Sequence, residues 1–199
     1  YKACDIRGVA GKELTPELYR RLGRGLARMM GERRAIVVGG DLRPSTPTLK
    51  DALTAGLREE GRAVADVGLA PTPLVCFARH HRNADACAIV TASHNPPEFN
   101  GLKFMIGDLP VLPEDLQRLR ALAEDADAAS RSPSMSASSL PVEDCVAAYQ
   151  AWILRESARW MPADPRVRPR RVVVDAGNGS FWRIAPEAIA RDGAEVVRL

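Results

Sequence analysis

A chain of 199 residues with 46% apolar and 27% charged side chains has the makeup of an ordinary globular protein, long enough for one domain and part of a second. That composition excludes disorder, collagen and coiled-coil arrays, and a net charge of +3 is too small to argue for nucleic acid. Apolar runs such as 35–38 and 86–90 fall far short of the roughly 18–20 residues of a membrane helix.

Thr15-Pro16 is an N-cap followed by proline at the first helical position, and Leu18, Leu22, Leu26 and Met29 recur at helical spacing as far as Gly31. Ala35–Gly39 is a short buried strand that runs into the polar turn Gly39-Gly40-Asp41-Leu42-Arg43-Pro44-Ser45. A second helix starts near Thr46-Pro47, carries Leu49, Leu53 and Leu57, and stops at Gly61; Ala63–Val67 is the next strand, and Thr72-Pro73 opens a helix to about His80. Ala86–Val90 and Leu102–Ile106 are the third and fourth strands, and a helix follows from Pro113 to about Glu124. From Asp125 to Pro141 the composition turns to Ala, Ser, Asp and Pro, which predicts a loop or linker. Val142–Trp160 is an amphipathic helix with Cys145, Tyr149, Trp152 and Ile153 on its core face. The Pro-rich stretch Met161–Pro169 precedes a strand over Arg171–Val174, a helix over Arg183–Arg191 and a strand from Glu195 onward.

Strands alternating with helices predict an α/β class: a three-layer α/β/α domain over residues 1–140 with a mixed, mostly parallel sheet. The segments Ile36–Asp41 and Val172–Gly177 resemble each other as strand plus Gly/Asp turn. Residues 141–199 are therefore expected to hold a connecting helix and the start of a second, similar α/β domain, with the sequence stopping mid-domain. The opening on Tyr1 rather than Met implies that N-terminal residues are missing. Four scattered cysteines (Cys4, Cys76, Cys87, Cys145) show no CxxC spacing, which argues against zinc and fits a reducing cytoplasm. Trp152, Trp160 and Trp182 read as packing residues.

Chemistry concentrates in Thr91-Ala92-Ser93-His94-Asn95-Pro96-Pro97, directly after a buried strand, where the ligand loops of open α/β sheets lie. It gathers a hydroxyl, an imidazole, an amide and a stiff Pro-Pro, and Lys103, one of only four lysines, follows Asn100-Gly101. A polar turn closed by proline is the bland alternative. A serine hydrolase is disfavoured: there is no GxSxG elbow, and a histidine directly after the serine points the other way along an extended chain. A phosphoryl site is easier to satisfy, because a serine oxygen can carry phosphate and nearby Lys, His and Arg can neutralise it. Against these roles stand ordinary ones: Arg7 as a surface salt-bridge partner, Lys103 as an edge-strand lysine that discourages aggregation, Asp41 and Arg43 as loop-fixing groups.

The segment 91–96 resembles the phosphoserine loop of the α-D-phosphohexomutases, the phosphomannomutase/phosphoglucomutase branch in particular. Cys4-Asp5-Ile6-Arg7-Gly8 resembles that family's opening motif, Gly39–Arg43 and Asp66–Pro73 fall in its order and spacing, Gly101-Leu102-Lys103 matches its continuation, and Asp175–Gly179 looks like the start of its second domain. The resemblance implies that Ser93 carries the transferable phosphoryl group, that His94 and Lys103 contact it and the reacting hydroxyl, that Arg7 clamps it as a cation, and that Thr91 and Asn95 belong to the phosphate-holding loop. It further implies interconversion of hexose 1-phosphate and 6-phosphate, with mannose or glucose as the sugar, through a hexose 1,6-bisphosphate. Magnesium (Mg2+) would bind through the Ser93 phosphate, the remaining metal ligands lying outside this sequence. The partner implied is a small-molecule sugar phosphate, with no nucleic acid and no membrane. Cys4 stands where many relatives carry tyrosine. The sequence is thus expected to be an N-terminal piece of a mutase that does not turn over alone. The rival readings are phosphoglucosamine mutase and a non-catalytic sugar-phosphate binding module.

Overall fold

The computed structural model describes residues 5–108, 111–125, 145–160, 171–191 and 193–199. The chain divides into two compact units, residues 1–142 and 143–199.

In the first unit the chain runs β1 (Ile6–Val9), α1 (Pro16–Met29), β2 (Ala35–Gly40), α2 (Thr46–Glu59), β3 (Ala63–Leu69), α3 (Thr72–His81), β4 (Ala86–Val90), β5 (Phe99–Ile106) and α4 (Pro113–Asp125). The five strands form one sheet in the order β1-β5-β4-β2-β3. β2 is parallel to β3 and β4, while β5 is antiparallel to both β4 and β1. Only β5 is therefore reversed, and the sheet is mixed and mostly parallel. β1 is an added strand: Ile-Arg-Gly-Val is too short and too polar to show a period. Its register, Ile6 opposite Leu102 and Arg7 opposite Gly101, makes β5 an interior strand.

Period-2 alternation sorts the side chains into two faces. Ile6, Ile36, Val38, Val64, Ala88, Val90, Leu102 and Phe104 form one core with Leu22 and Leu26 of α1, Leu49, Leu53 and Leu57 of α2, and Leu116 and Leu119 of α4. α3 covers the opposite face: a Cβ built at Gly39 would meet Val75 of that helix at 2.6 Å. This arrangement follows from crossover handedness. β2→β3 steps one way across the sheet and β3→β4 steps back, so two right-handed connections must leave α2 and α3 on opposite faces. Three layers result.

Local signals behave as the sequence predicts at the start of α1, where the Thr15 hydroxyl accepts the Leu18 N–H at 3.2 Å and Pro16 follows. α1 and α2 pack backbone to backbone through a pair of glycines. A Cβ at Gly23 would lie 2.2 Å from the Leu53 carbonyl oxygen, and one at Gly56 2.0 Å from that of Arg20. Arg62 pins the far end, donating to the carbonyls of Ala27, Gly31 and Arg33.

The second unit holds α5 (Cys145–Trp160), β6 (Arg171–Val174), α6 (Ala185–Arg191) and β7 (Glu195–Arg198), with β6 and β7 parallel. Its strand-turn resemblance to the first unit extends to hydrogen bonding. The Asp175 carboxylate accepts the Gly177 N–H at 2.8 Å, just as Asp41 accepts the Arg43 N–H at 3.1 Å. Cys145 and Tyr149 are buried, but the tryptophans are not the packing residues expected: Trp152, Trp160 and Trp182 are 40%, 83% and 49% exposed. The two strands and two helices described in this unit do not enclose them, and Trp152 stacks on Tyr149 at 6.0 Å. The expected linker beyond Asp125, the first turn of the helix expected from Val142, the stretch 161–169 and Cys4 lie outside the described residues. No helix among the described residues is long and apolar enough to cross a membrane.

Candidate active site

The loops at the carboxyl ends of β2, β3 and β4 share one edge of the sheet, the usual ligand edge of such folds. β4 ends at Val90, and Thr91 extends its ladder by donating its N–H to the Gly101 carbonyl at 2.9 Å. The Thr91 side chain is buried with both hydroxyl functions used: it donates to Asp41 Oδ2 at 2.6 Å and accepts the Ser93 N–H at 2.9 Å. The turn closes where the Asn95 N–H meets the Ala92 carbonyl at 3.1 Å.

Ser93 stands at the exposed apex of this turn with φ +58°, in the left-handed region. For a residue with a Cβ that conformation costs about 1–2 kcal/mol, and it persists only where the surroundings over-determine it. The backbone is held from both sides, at its N–H by Thr91 and at its carbonyl by Arg43 Nη2 at 3.0 Å. The bend also corrects an expectation. On an extended chain His94 would point away from Ser93; here Ser93 Oγ and His94 Nδ1 are 3.3 Å apart. Among the described residues no carboxylate engages the His94 ring, so the pair lacks the third member of a hydrolytic triad.

Arg7 is half-buried on β1 and reaches the loop: Nη1 donates to Asn95 Oδ1 at 2.9 Å while Nε pairs with Asp5 at 2.8 Å. The surface-partner alternative thus accounts for only half of its contacts. Its register partner is Gly101, where an added Cβ would lie 2.3 Å from the Ile6 carbonyl oxygen, 2.8 Å from that of Thr91 and 3.2 Å from Arg7 Cγ. The missing side chain lets β1 and Thr91 close in from both sides. Lys103 is two residues along β5 and emerges from the same face as Arg7, at the diagonal separation of about 7–8 Å between backbones. It lies opposite Ile89 on an interior strand, so the edge-strand reading of this lysine fails. Among the described residues its ammonium has no hydrogen-bond or ion-pair partner.

Asp41 and Arg43 are the loop-fixing groups the sequence suggested, and Asn100 is a structural residue it did not single out. Asp41 accepts the hydroxyls of Thr91 (2.6 Å) and Thr46 (2.9 Å), and burial with this charge nearby pushes the Tyr19 phenol up, keeping it neutral. Arg43 donates to carbonyls of the Ser93 loop. Asn100, fully buried, donates to Ser45 Oγ at 2.8 Å and Thr46 Oγ1 at 3.1 Å and accepts the Gly101 N–H, tying β5 to the start of α2. The signal for Asp41 and Arg43 was the polar run Gly39–Arg43 ending a buried strand.

Magnesium prefers several oxygen ligands. Among the described residues no group of three His, Cys, Asp or Glu side chains converges on one point. Asp41, the carboxylate of the neighbouring loop, is committed to Thr91, Thr46 and Arg43. The described residues therefore do not by themselves fit a magnesium site.

Residues 1–130 match the family model described as phosphoglucomutase/phosphomannomutase, alpha/beta/alpha domain I. The chain is 37% identical to a phosphoglucosamine mutase of Symbiobacterium thermophilum over 98% of its own length and 44% of that protein. It is 34% identical to a phosphoglucomutase/phosphomannomutase of Thermococcus kodakarensis, over 96% of its length and 42% of the relative. Among solved structures, a phosphoglucomutase/phosphomannomutase family protein from Burkholderia thailandensis superposes with a TM-score of 0.79 at 34% identity, covering 100% of this chain and 43% of that one. The chain thus spans less than half the length of these relatives.

Proposed function

Since the chain belongs to the phosphoglucomutase/phosphomannomutase family, we propose that it carries the phosphoserine loop of a phosphohexomutase interconverting hexose 1-phosphate and 6-phosphate, with mannose or glucose as the sugar. The observation that supports this best is the Ser93 hydroxyl, exposed on a strained turn beside His94 and on the side of the sheet where Arg7 reaches the loop. In this reading phosphorylated Ser93 gives its phosphoryl group to a free hydroxyl of the bound hexose phosphate. The Ser93 Oγ–P bond breaks as the sugar O–P bond forms, and the sugar hydroxyl proton passes to a nearby base while Oγ regains a proton. The resulting hexose 1,6-bisphosphate turns around and returns its other phosphate to Ser93. Such transfer depends mainly on positioning and positive charge.

His94 and Lys103 are assigned to contact the phosphoryl group and the reacting hydroxyl, Lys103, whose ammonium has no partner among the described residues, as a proton carrier. Arg7 is assigned as the cationic clamp that also steadies Asn95, and Thr91 as the member of the loop that ties Ser93 to Asp41. Magnesium would bind through the Ser93 phosphate, with its other ligands outside the described residues. Residues 1–140 form the phosphoserine domain and 141–199 the connecting helix and start of a second, similar domain. A cytoplasmic location and a sugar-phosphate partner follow from the same assignment. Phosphoglucosamine mutase is the second reading, supported by the 37% identical relative of that name.

Incubating the complete protein with glucose 1,6-bisphosphate, followed by peptide mass spectrometry, is expected to place one phosphate on Ser93 and none in Ser93→Ala. An unmodified Ser93 sinks the mutase reading in favour of a binding module. Competition between glucosamine and glucose phosphates as acceptors then separates the two mutase readings.

A further inference from the structure

The guanidinium of Arg43 has five N–H donors, and every one finds an acceptor. Nε meets Asp41 Oδ2 at 3.1 Å; Nη1 donates to the carbonyls of Pro96 and Phe99 at 2.6 and 2.9 Å; Nη2 donates to those of Ser93 and Asn95 at 3.0 and 2.6 Å. Four main-chain oxygens of the 93–99 loop converge on one cation whose side chain is only 11% exposed. Asp41 in turn joins both restraints on Ser93: Oδ2 takes the Thr91 hydroxyl that holds the Ser93 N–H, and the same oxygen orients the guanidinium that holds the Ser93 carbonyl. Four carbonyl oxygens engaged by Arg43 are also not left unpaired beside a dianionic phosphate on Ser93.

We propose that Arg43, oriented by Asp41, is a positioning residue that locks Ser93 in its left-handed conformation and aims Oγ for phosphoryl transfer without touching the substrate. This rests on the reading that Ser93 accepts the phosphoryl group. Lysine cannot replace it: three donors on one nitrogen do not span four carbonyls.

The test compares Arg43→Lys, Arg43→Met and Asp41→Asn with the parent in the complete protein. The readouts are kcat and KM for the hexose phosphate, Ser93 phosphate uptake from glucose 1,6-bisphosphate, and amide exchange of the loop. Both Arg43 variants are expected to lose about 100-fold in kcat with KM little changed. The Asn95 and Ser93 amides should lose protection while the amides of β4 and β5 keep theirs, and Asp41→Asn should give a smaller loss of the same kind. Wild-type kcat in Arg43→Lys overturns the proposal, and so does a rise in KM at constant kcat, which would make Arg43 a substrate ligand. A fall in kcat with loop protection intact also overturns it. If Arg43→Met does not fold, Arg43→Lys and Asp41→Asn decide the matter. A parent protein that takes no phosphate on Ser93 overturns the functional reading instead, and the exchange data then still judge the clamp.

Discussion

Replacing Gly56 by alanine sets helix propensity against packing. Alanine in a helix interior is favoured over glycine by about 1 kcal/mol, so local reasoning predicts a more stable protein. At this position, however, the new Cβ would lie 2.0 Å from the Arg20 carbonyl oxygen, against 3.4 Å for ordinary contact, and the obstacle is backbone rather than a side chain that can swing aside. α1 and α2 must part by more than an ångström. Gaps of about 0.5–1 Å already forfeit a quarter to a half of each dispersion contact, and here they open among Leu22, Leu26, Leu53 and Leu57, all fully buried. Overpacking of this kind costs about 1–3 kcal/mol, and a rigid backbone obstacle places the cost at the upper end. The net expectation is destabilisation by about 2 kcal/mol, a melting temperature lower by about 4–8 °C for a chain of this size. Thermal and guanidinium unfolding followed by circular dichroism measure it, with Ala55→Gly, an exposed neighbour on α2, as the propensity-only control at about 1 kcal/mol. A Gly56→Ala protein that melts at or above the parent, or loses less than Ala55→Gly, refutes the reasoning.

Thr91→Val keeps shape but deletes the hydroxyl that bridges Asp41 and the Ser93 N–H. A loss of about 1–3 kcal/mol in chemical denaturation is expected, together with faster amide exchange at Ser93; unchanged exchange would show that Arg43 alone holds the turn. Gly101→Ala drives a methyl against the Ile6 and Thr91 carbonyls, so β1 should detach first, read as lost hydrogen-exchange protection over residues 6–9 ahead of the other strands. The Cys76 thiol is held down to about 7 by a hydrogen bond from Cys87, with Arg79 adding to the effect. Because the thiolate is the nucleophile, alkylation of Cys76 should rise with pH through a midpoint near 7. Cys87→Ala, which removes the donor, should move that midpoint up toward the ordinary 9.0; a midpoint that stays put denies the hydrogen bond its role.

What the sequence by itself determined is whatever is encoded within a few residues. Thr15-Pro16 caps α1 because an N-cap acts on the N–H three positions on. The leucine spacing of α1 and α2, and the short apolar runs of β2 and β4, mark core faces because burial follows the period of the element. The polar, proline-closed segment 91–97 after a buried strand likewise marked a tight turn at the carboxyl end of β4. Tertiary structure decided everything that depends on partners far along the chain. β1 exists only because β5 offers it an edge, and that pairing turns Lys103 from an edge residue into an interior one. Whether Trp152, Trp160 and Trp182 are covered depends on layers that their own spacing does not report. Ser93 and His94 meet because a left-handed turn brings them together, and that turn is held by Asp41 and Arg43, some fifty residues earlier in the chain. Hydrogen-bond geometry of that kind leaves no local periodicity, so only the folded chain reveals it.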